Sequence, residues 1–175
     1  MSSNVVFPSK LESLNLLLKY PNQDNMFQWF ESVEETIEDL NAFSDSWPLY
    51  AKHPTMETFV LLCKQKYPPY FVFNEQHNRF VGVLEFVRVE SDYIEIGVWT
   101  RRSYHCQGIM TEALTCFLNW FTQTYPHVKI VIGIESANKA AIRLAEKVGF
   151  VWSNQYINPE RNNAVFEIFY HGMKV

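Results

Sequence analysis

Residues 128–134, Val-Lys-Ile-Val-Ile-Gly-Ile, are almost uninterruptedly β-branched. Such a run suits a strand buried on both faces. It follows a strand-like run at Ile94–Trp99, a short loop at 104–109 and a helix-like run at Met110–Thr122. In that helix Ala113, Phe117, Trp120 and Phe121 form an apolar stripe. The passage is therefore a β-α-β unit whose first connection carries Gly108 just before the helix. A glycine loop that opens a helix is a physical device for holding an anion. The first N–H groups of the helix have no intrahelical partner, and the helix dipole adds positive charge there.

The remaining chain extends this unit into one sheet. Leu11, Leu14, Leu16 and Leu18 alternate and predict an opening strand. Asp24 or Asn25 is placed to cap a helix with Phe27, Phe30, Val33, Ile37 and Leu40 as its apolar positions. The same helix carries Glu31, Glu34, Glu35, Glu38 and Asp39, which read first as a solvated face. An aromatic loop at 43–53 follows. Thr55 caps a second helix bearing Met56, Phe59, Val60 and Cys63, which ends at Pro68-Pro69. Tyr70–Phe73, Phe80–Val87 and Tyr93–Trp99 read as strands separated by polar turns. After the β-branched strand, Asn138 caps a short helix that Gly149 closes in a left-handed conformation. Phe150–Gln155 and Val165–Tyr170 are the final strands. The order β-α-α-β-β-β-α-β-α-β-β predicts an α/β (α+β) fold, one mixed central sheet in a single domain over residues 1–175.

Composition excludes several partners. A net charge of −4 gives no basic surface for nucleic acid. No apolar stretch approaches the roughly 20 residues that span a bilayer. Cys63, Cys106 and Cys116 lack metal-ligand spacing and suit free thiols in a reducing cytoplasm, so neither metal nor membrane is expected. No phosphate-loop lysine motif and no G-x-G-x-x-G is present, which excludes nucleoside-triphosphate and dinucleotide loops.

Two blocks narrow the anion. The first is His105-Cys106-Gln107-Gly108-Ile109-Met110-Thr111-Glu112-Ala113-Leu114, preceded by Glu95-Ile96-Gly97-Val98-Trp99. The second runs from Asn138 through Ala141, Leu144 and Lys147 to Gly149-Phe150. Together they resemble the GNAT acetyltransferase superfamily, in particular its Rim-type branch, which acts on the N-termini of ribosomal proteins. The resemblance implies acetyl-CoA as co-substrate and a splay between strands four and five that receives its pantetheine arm. Carried over to these positions, it makes the backbone of Val98, Trp99 and Thr100 a pairing edge for that arm. It makes His105, Cys106, Gln107, Gly108, Ile109, Met110 and Thr111 the pyrophosphate loop, and gives the Asn138 side chain a bond to the arm. It also implies a protein N-terminus as acceptor, with Trp47 and Tyr50 in the acceptor wall.

The chain departs from the family pattern at three places. His105 stands where the family has Gln or Arg, and Cys106 where it has glycine. Ala145 stands where many members carry a tyrosine acid. Transfer to an amine needs its lone pair, and an α-amine loses its proton near pH 8, a lysine only near 10.4. A carboxylate suits that proton. Glu160, then Glu85, then Glu95 are the candidates. The expected function is N-acetylation of a protein or peptide α-amine. A small amine as acceptor, or a CoA-binding module with little turnover, are the alternatives. A monomer or homodimer is expected.

Overall fold

The computed structural model describes residues 5–43, 54–76 and 78–152, and the backbone of 163–168. Its strands are β1 (Lys10–Glu12), β2 (Leu16–Lys19), β3 (Tyr70–Asn74), β4 (Arg79–Val89), β5 (Tyr93–Thr100), β6 (Lys129–Glu135), β7 (Val151–Trp152) and β8 (Asn163–Ile168). Its helices are α1 (Met26–Ala42), α2 (Met56–Cys63), α3 (Ile109–Thr124) and α4 (Lys139–Lys147). All described strands join one sheet in the order β1-β2-β3-β4-β5-β6-β8-β7. Every pairing is antiparallel except β5 with β6, the two strands of the β-α-β unit.

The expected element order holds, with local differences. The opening strand is a hairpin, β1 paired to β2, because Ser13–Asn15 turns the chain between them. The Ser13 N–H donates to the Leu16 carbonyl at 2.9 Å. The helix entry is capped earlier than expected. Asn22 caps a single 3₁₀ turn at Gln23–Asn25 through a capping box, and Asn25 begins α1 without a side-chain cap. Thr55 caps α2 and Asn138 caps α4 as the sequence predicts. Gly149 takes the left-handed φ of 97° that closes α4. Phe27 and Met56 are exposed, at the helix starts, where the apolar stripe has not yet reached the sheet.

Alternation along β5 divides the interior into two cores. Ile94 and Ile96 enter a core shared with Met110, Leu114, Phe117 and Phe121 of α3 and with Ala145 of α4. Trp99 faces the opposite way, into a core with Trp29 and Val33 of α1 and Phe59 of α2. The N-terminal segment closes the first core. Phe7 stacks on Phe86 at 4.0 Å between centroids. The buried Tyr70 hydroxyl donates to the Pro8 carbonyl at 2.7 Å, and burial pushes its ionisation well above the ordinary phenol range.

Glu112, in the first turn of α3, fastens the hairpin to that helix. Its carboxylate accepts from Ser13 Oγ at 2.6 Å, from the Asn15 N–H at 2.9 Å and from Asn15 Nδ2 at 3.2 Å. Partial burial works against its charge, and these three donors outweigh it, so its pKa lies below the ordinary carboxylate value. A lowered folded pKa adds stability above the unfolded value, and the gain is lost as pH falls through the folded one. Glu112→Gln is expected to cost about 1–2 kcal/mol at pH 7. In denaturant titrations the gap to wild type should shrink below pH ~4.5.

Candidate active site at the parted strands

β5 and β6 stop pairing before either ends. Their register runs from Tyr93↔Lys129 to Ile96↔Ile132, yet β5 continues to Thr100 and β6 to Glu135. Each free end is held from its outer side. Gly97–Thr100 pair with β4 at Glu85–Gly82, and Gly133–Glu135 pair with β8 at Val165–Asn163. The expected splay between the fourth and fifth expected strands is therefore this parting of β5 from β6. Among the described residues, backbone groups that face the gap have no strand partner, and an extended ligand chain can supply one.

The gap opens into a cleft lined by Glu85, Glu95, Gly97, Val98, Glu135 and Asn138 among others. Glycines make room for its acids. A Cβ on Gly97 would stand 3.2 Å from Glu85 Cγ and 3.3 Å from its Oε1. A Cβ on Gly133 would stand 3.3 Å from Glu95 Oε1. Glu85 is directly opposite Gly97 in register and is only 6% exposed. Sequence reading missed Glu135. Its Oε1 is buried without a hydrogen-bond partner among the described residues. A carboxylate ending the β-branched strand was its signal.

Other sequence-predicted residues divide clearly. Val98 and Asn138 line the cleft. Asn138 Oδ1 accepts from the Ala141 N–H at 3.0 Å as the α4 cap, which leaves its Nδ2 amide to donate elsewhere. The Trp99 side chain is buried in the second core. Ala145 is fully buried, so the family's tyrosine position is core here. Trp47, Tyr50 and Glu160 lie outside the described residues.

Beyond Thr100 the chain makes a 3₁₀ turn at Arg102–Tyr104 and enters the glycine loop. Gly108 sits at the α3 N-cap with φ 77°, and a Cβ there would meet nothing within 4 Å. The first helical bond runs from the Glu112 N–H to the Gly108 carbonyl at 3.0 Å. Ile109, Met110 and Thr111 therefore have N–H groups with no intrahelical acceptor. The two long polar side chains turn back on the loop. His105 Nε2 donates to the Thr100 carbonyl at 2.8 Å, in the Nε2–H tautomer, and Gln107 Nε2 donates to the Ser103 carbonyl at 2.9 Å. What the loop offers an anion is backbone.

The fold and the parted strands are those of an acetyltransferase-type domain. The family model described as the acetyltransferase (GNAT) domain matches residues 10–151, and the chain belongs to that family. It is 26% identical over 113 residues to the ribosomal-protein-serine acetyltransferase of Escherichia coli (strain K12), over 61% of this chain. The match spans 63% of that relative's length. A RimL ribosomal L7/L12 α-N-protein acetyltransferase in complex with coenzyme A superposes with a TM-score of 0.73 at 21% identity, covering 91% of this chain and 97% of that one. The microcin C7 self-immunity acetyltransferase MccE, in complex with acetyl-CoA and AMP, gives 0.75 at 17% identity, covering 93% and 97%. A GNAT-family acetyltransferase from Bacillus anthracis gives 0.74 at 17%, covering 91% and 97%.

Cys106 takes φ 60°, left-handed backbone that a side chain opposes and glycine accepts freely. Cys106→Gly is expected to stabilise the chain by about 0.5–1 kcal/mol after the entropy of glycine is counted. Calorimetric unfolding should show Tm higher by about 1–4 °C.

Proposed function

We propose that this chain is an acetyl-CoA-dependent N-acetyltransferase acting on the α-amine of a protein or peptide. The observation that carries the reading is the parting of β5 from β6 beside a glycine loop, with a buried carboxylate at its mouth. The backbone of Val98, Trp99 and Thr100 would pair with the pantetheine amides along the free edge of β5. The N–H groups of residues 106–111 would hold the pyrophosphate, and Asn138 Nδ2 would bond the arm from the β6 side. When bound, acetyl-CoA supplies the acetyl group as a thioester.

The chain's own residues then have defined tasks. Glu85 accepts the amine proton, directly or through water, at a position that Gly97 keeps open. The backbone N–H of Val98 or Trp99 steadies the oxyanion that forms where the strands part. An α-amine suits this arrangement better than a lysine, because a carboxylate is a weak base and the α-amine yields its proton about 2.4 pH units earlier. Among the described residues the cleft contributes Glu85, Glu95 and Glu135 and no lysine or arginine, which favours a cationic acceptor. The similarity to a ribosomal-protein-serine acetyltransferase supports a protein N-terminus over a small amine.

The test is thiol release from acetyl-CoA with N-terminal peptides and, in parallel, polyamines, amino acids and aminoglycosides. Turnover with peptides that disappears when the α-amine is blocked supports the reading. Turnover only with small amines overturns the acceptor class. CoA binding without turnover on any acceptor overturns the catalytic reading. Glu85→Gln should lower kcat about 100-fold with KM for acetyl-CoA unchanged. A full rate in that variant would move the proton acceptor to Glu160, tested by the same substitution there.

A further inference from the structure

Arg101 and Arg102 stand between the cleft and the glycine loop, where cations would ordinarily be assigned to a phosphate. Both turn the other way, onto α1. Arg101 Nε lies 2.6 Å from Glu35 Oε2, with Glu31 Oε2 3.9 Å from its Nη2. Arg102 Nε lies 2.7 Å from Asp39 Oδ2, and its Nη2 lies 3.0 Å from Glu38 Oε2. The backbone is gripped as well. The Ser103 N–H donates to Glu35 Oε1 at 2.6 Å, and the Arg102 N–H donates to Thr36 Oγ1 at 3.1 Å. The acid stripe of α1, which reads from sequence as a solvated face, is a clamp on residues 101–103.

The arms of this clamp differ in strength. Around Arg102 the guanidinium side chain is 41% exposed and the Glu38 side chain 80% exposed, so water screens that pair. Around Arg101 the values fall to 17% and, for Glu35, 28%. Of the acids in this clamp, Glu35 alone holds a side chain with one oxygen and a backbone N–H with the other. Burial works against its charge, but the bonds from Ser103 and Arg101 prevail and hold its pKa below the ordinary value. The turn then passes the anchor on. The Tyr104 N–H bonds the Arg101 carbonyl at 2.9 Å and the His105 N–H bonds the Arg102 carbonyl at 3.0 Å, one residue ahead of Cys106.

We propose that Glu35 is a positioning residue for the cofactor loop, acting through Arg101 and the Ser103 backbone to aim the N–H groups of residues 106–111. This rests on the acetyl-CoA reading above. A backbone cradle has no side chain that can reach further to correct a misplaced loop, so its affinity depends on where the loop is anchored. Phe43, directly after α1, lines the cleft between β5 and β6. One helix thus holds the cofactor loop at its middle and borders the acceptor cleft at its end.

The test compares wild type with Glu35→Gln, Glu35→Asp and Asp39→Asn by calorimetric titration with CoA, steady-state kinetics and thermal unfolding. Glu35→Gln should raise the Kd for CoA and KM for acetyl-CoA about 3- to 10-fold, with kcat at saturation changed by less than about twofold. Glu35→Asp keeps the charge and should recover part of the loss. Asp39→Asn, in the exposed arm, should move Kd by less than about twofold. A lower Tm in Glu35→Gln with an unchanged Kd would make the clamp purely structural and overturn the inference. If Glu35→Gln does not fold, an unchanged Kd in Glu35→Asp overturns it equally. No CoA binding by wild type overturns the cofactor reading and this inference with it.

Discussion

The central sheet gives up hydrogen bonds between β5 and β6 beyond Ile96 and Ile132, and the rest of the molecule is arranged around that surrender. A sheet edge inside a domain is unstable ground, because unpaired backbone groups must find water or a partner. Here the gap is held open from outside. β4 keeps its pairing with β5 through Gly82↔Thr100, and β8 keeps its pairing with β6 through Glu135↔Asn163. Gly82 permits the close fit on one side. A Cβ there would stand 2.5 Å from the Trp99 carbonyl oxygen, so any larger residue would push the free end of β5 out of line.

Helices fix the two faces of this parting. α3 buries Met110, Leu114, Phe117 and Phe121 beneath the sheet, which sets where its N-terminus and the glycine loop stand. α1 packs Trp29, Val33 and Leu40 on the opposite face and sends its acids to the segment between β5 and the loop. The glycine loop is therefore located twice, by the helix that follows it and by ion pairs to the helix across the sheet.

The sequence was legible where chemistry repeats locally. The β-branched run at 128–134 became β6, whose Ile130, Ile132 and Ile134 enter the first core while Gly133 and Glu135 on its other face line the cleft. The helix caps at Thr55 and Asn138 were found where short polar side chains precede apolar periodicity. Gly108 announced the loop. The opening hairpin was missed because Ser13-Leu14-Asn15 interrupts an alternation too short to show a reversal. The clamp was invisible for a different reason. Glu35 and Ser103 are 68 positions apart, and nothing in the α1 acid spacing says which acids will meet arginines and which will meet water. The roles of Gly97 and Gly133 were equally hidden, since the space they leave belongs to Glu85 and Glu95 on neighbouring strands.

The bond between Glu112 and the hairpin also bears on charge at the anion end of α3. A carboxylate in the first turn of a helix complements the dipole, but it also stands in the helix turn from which a diphosphate would be held. Ser13 and Asn15 surround it with donors and tie it to the chain's beginning. The hairpin thus supplies donors to this carboxylate as well as forming a sheet edge. Trimming or fusing the chain within its first 15 or so residues would alter the field at the glycine loop, although none of the described residues in that stretch lines the cleft.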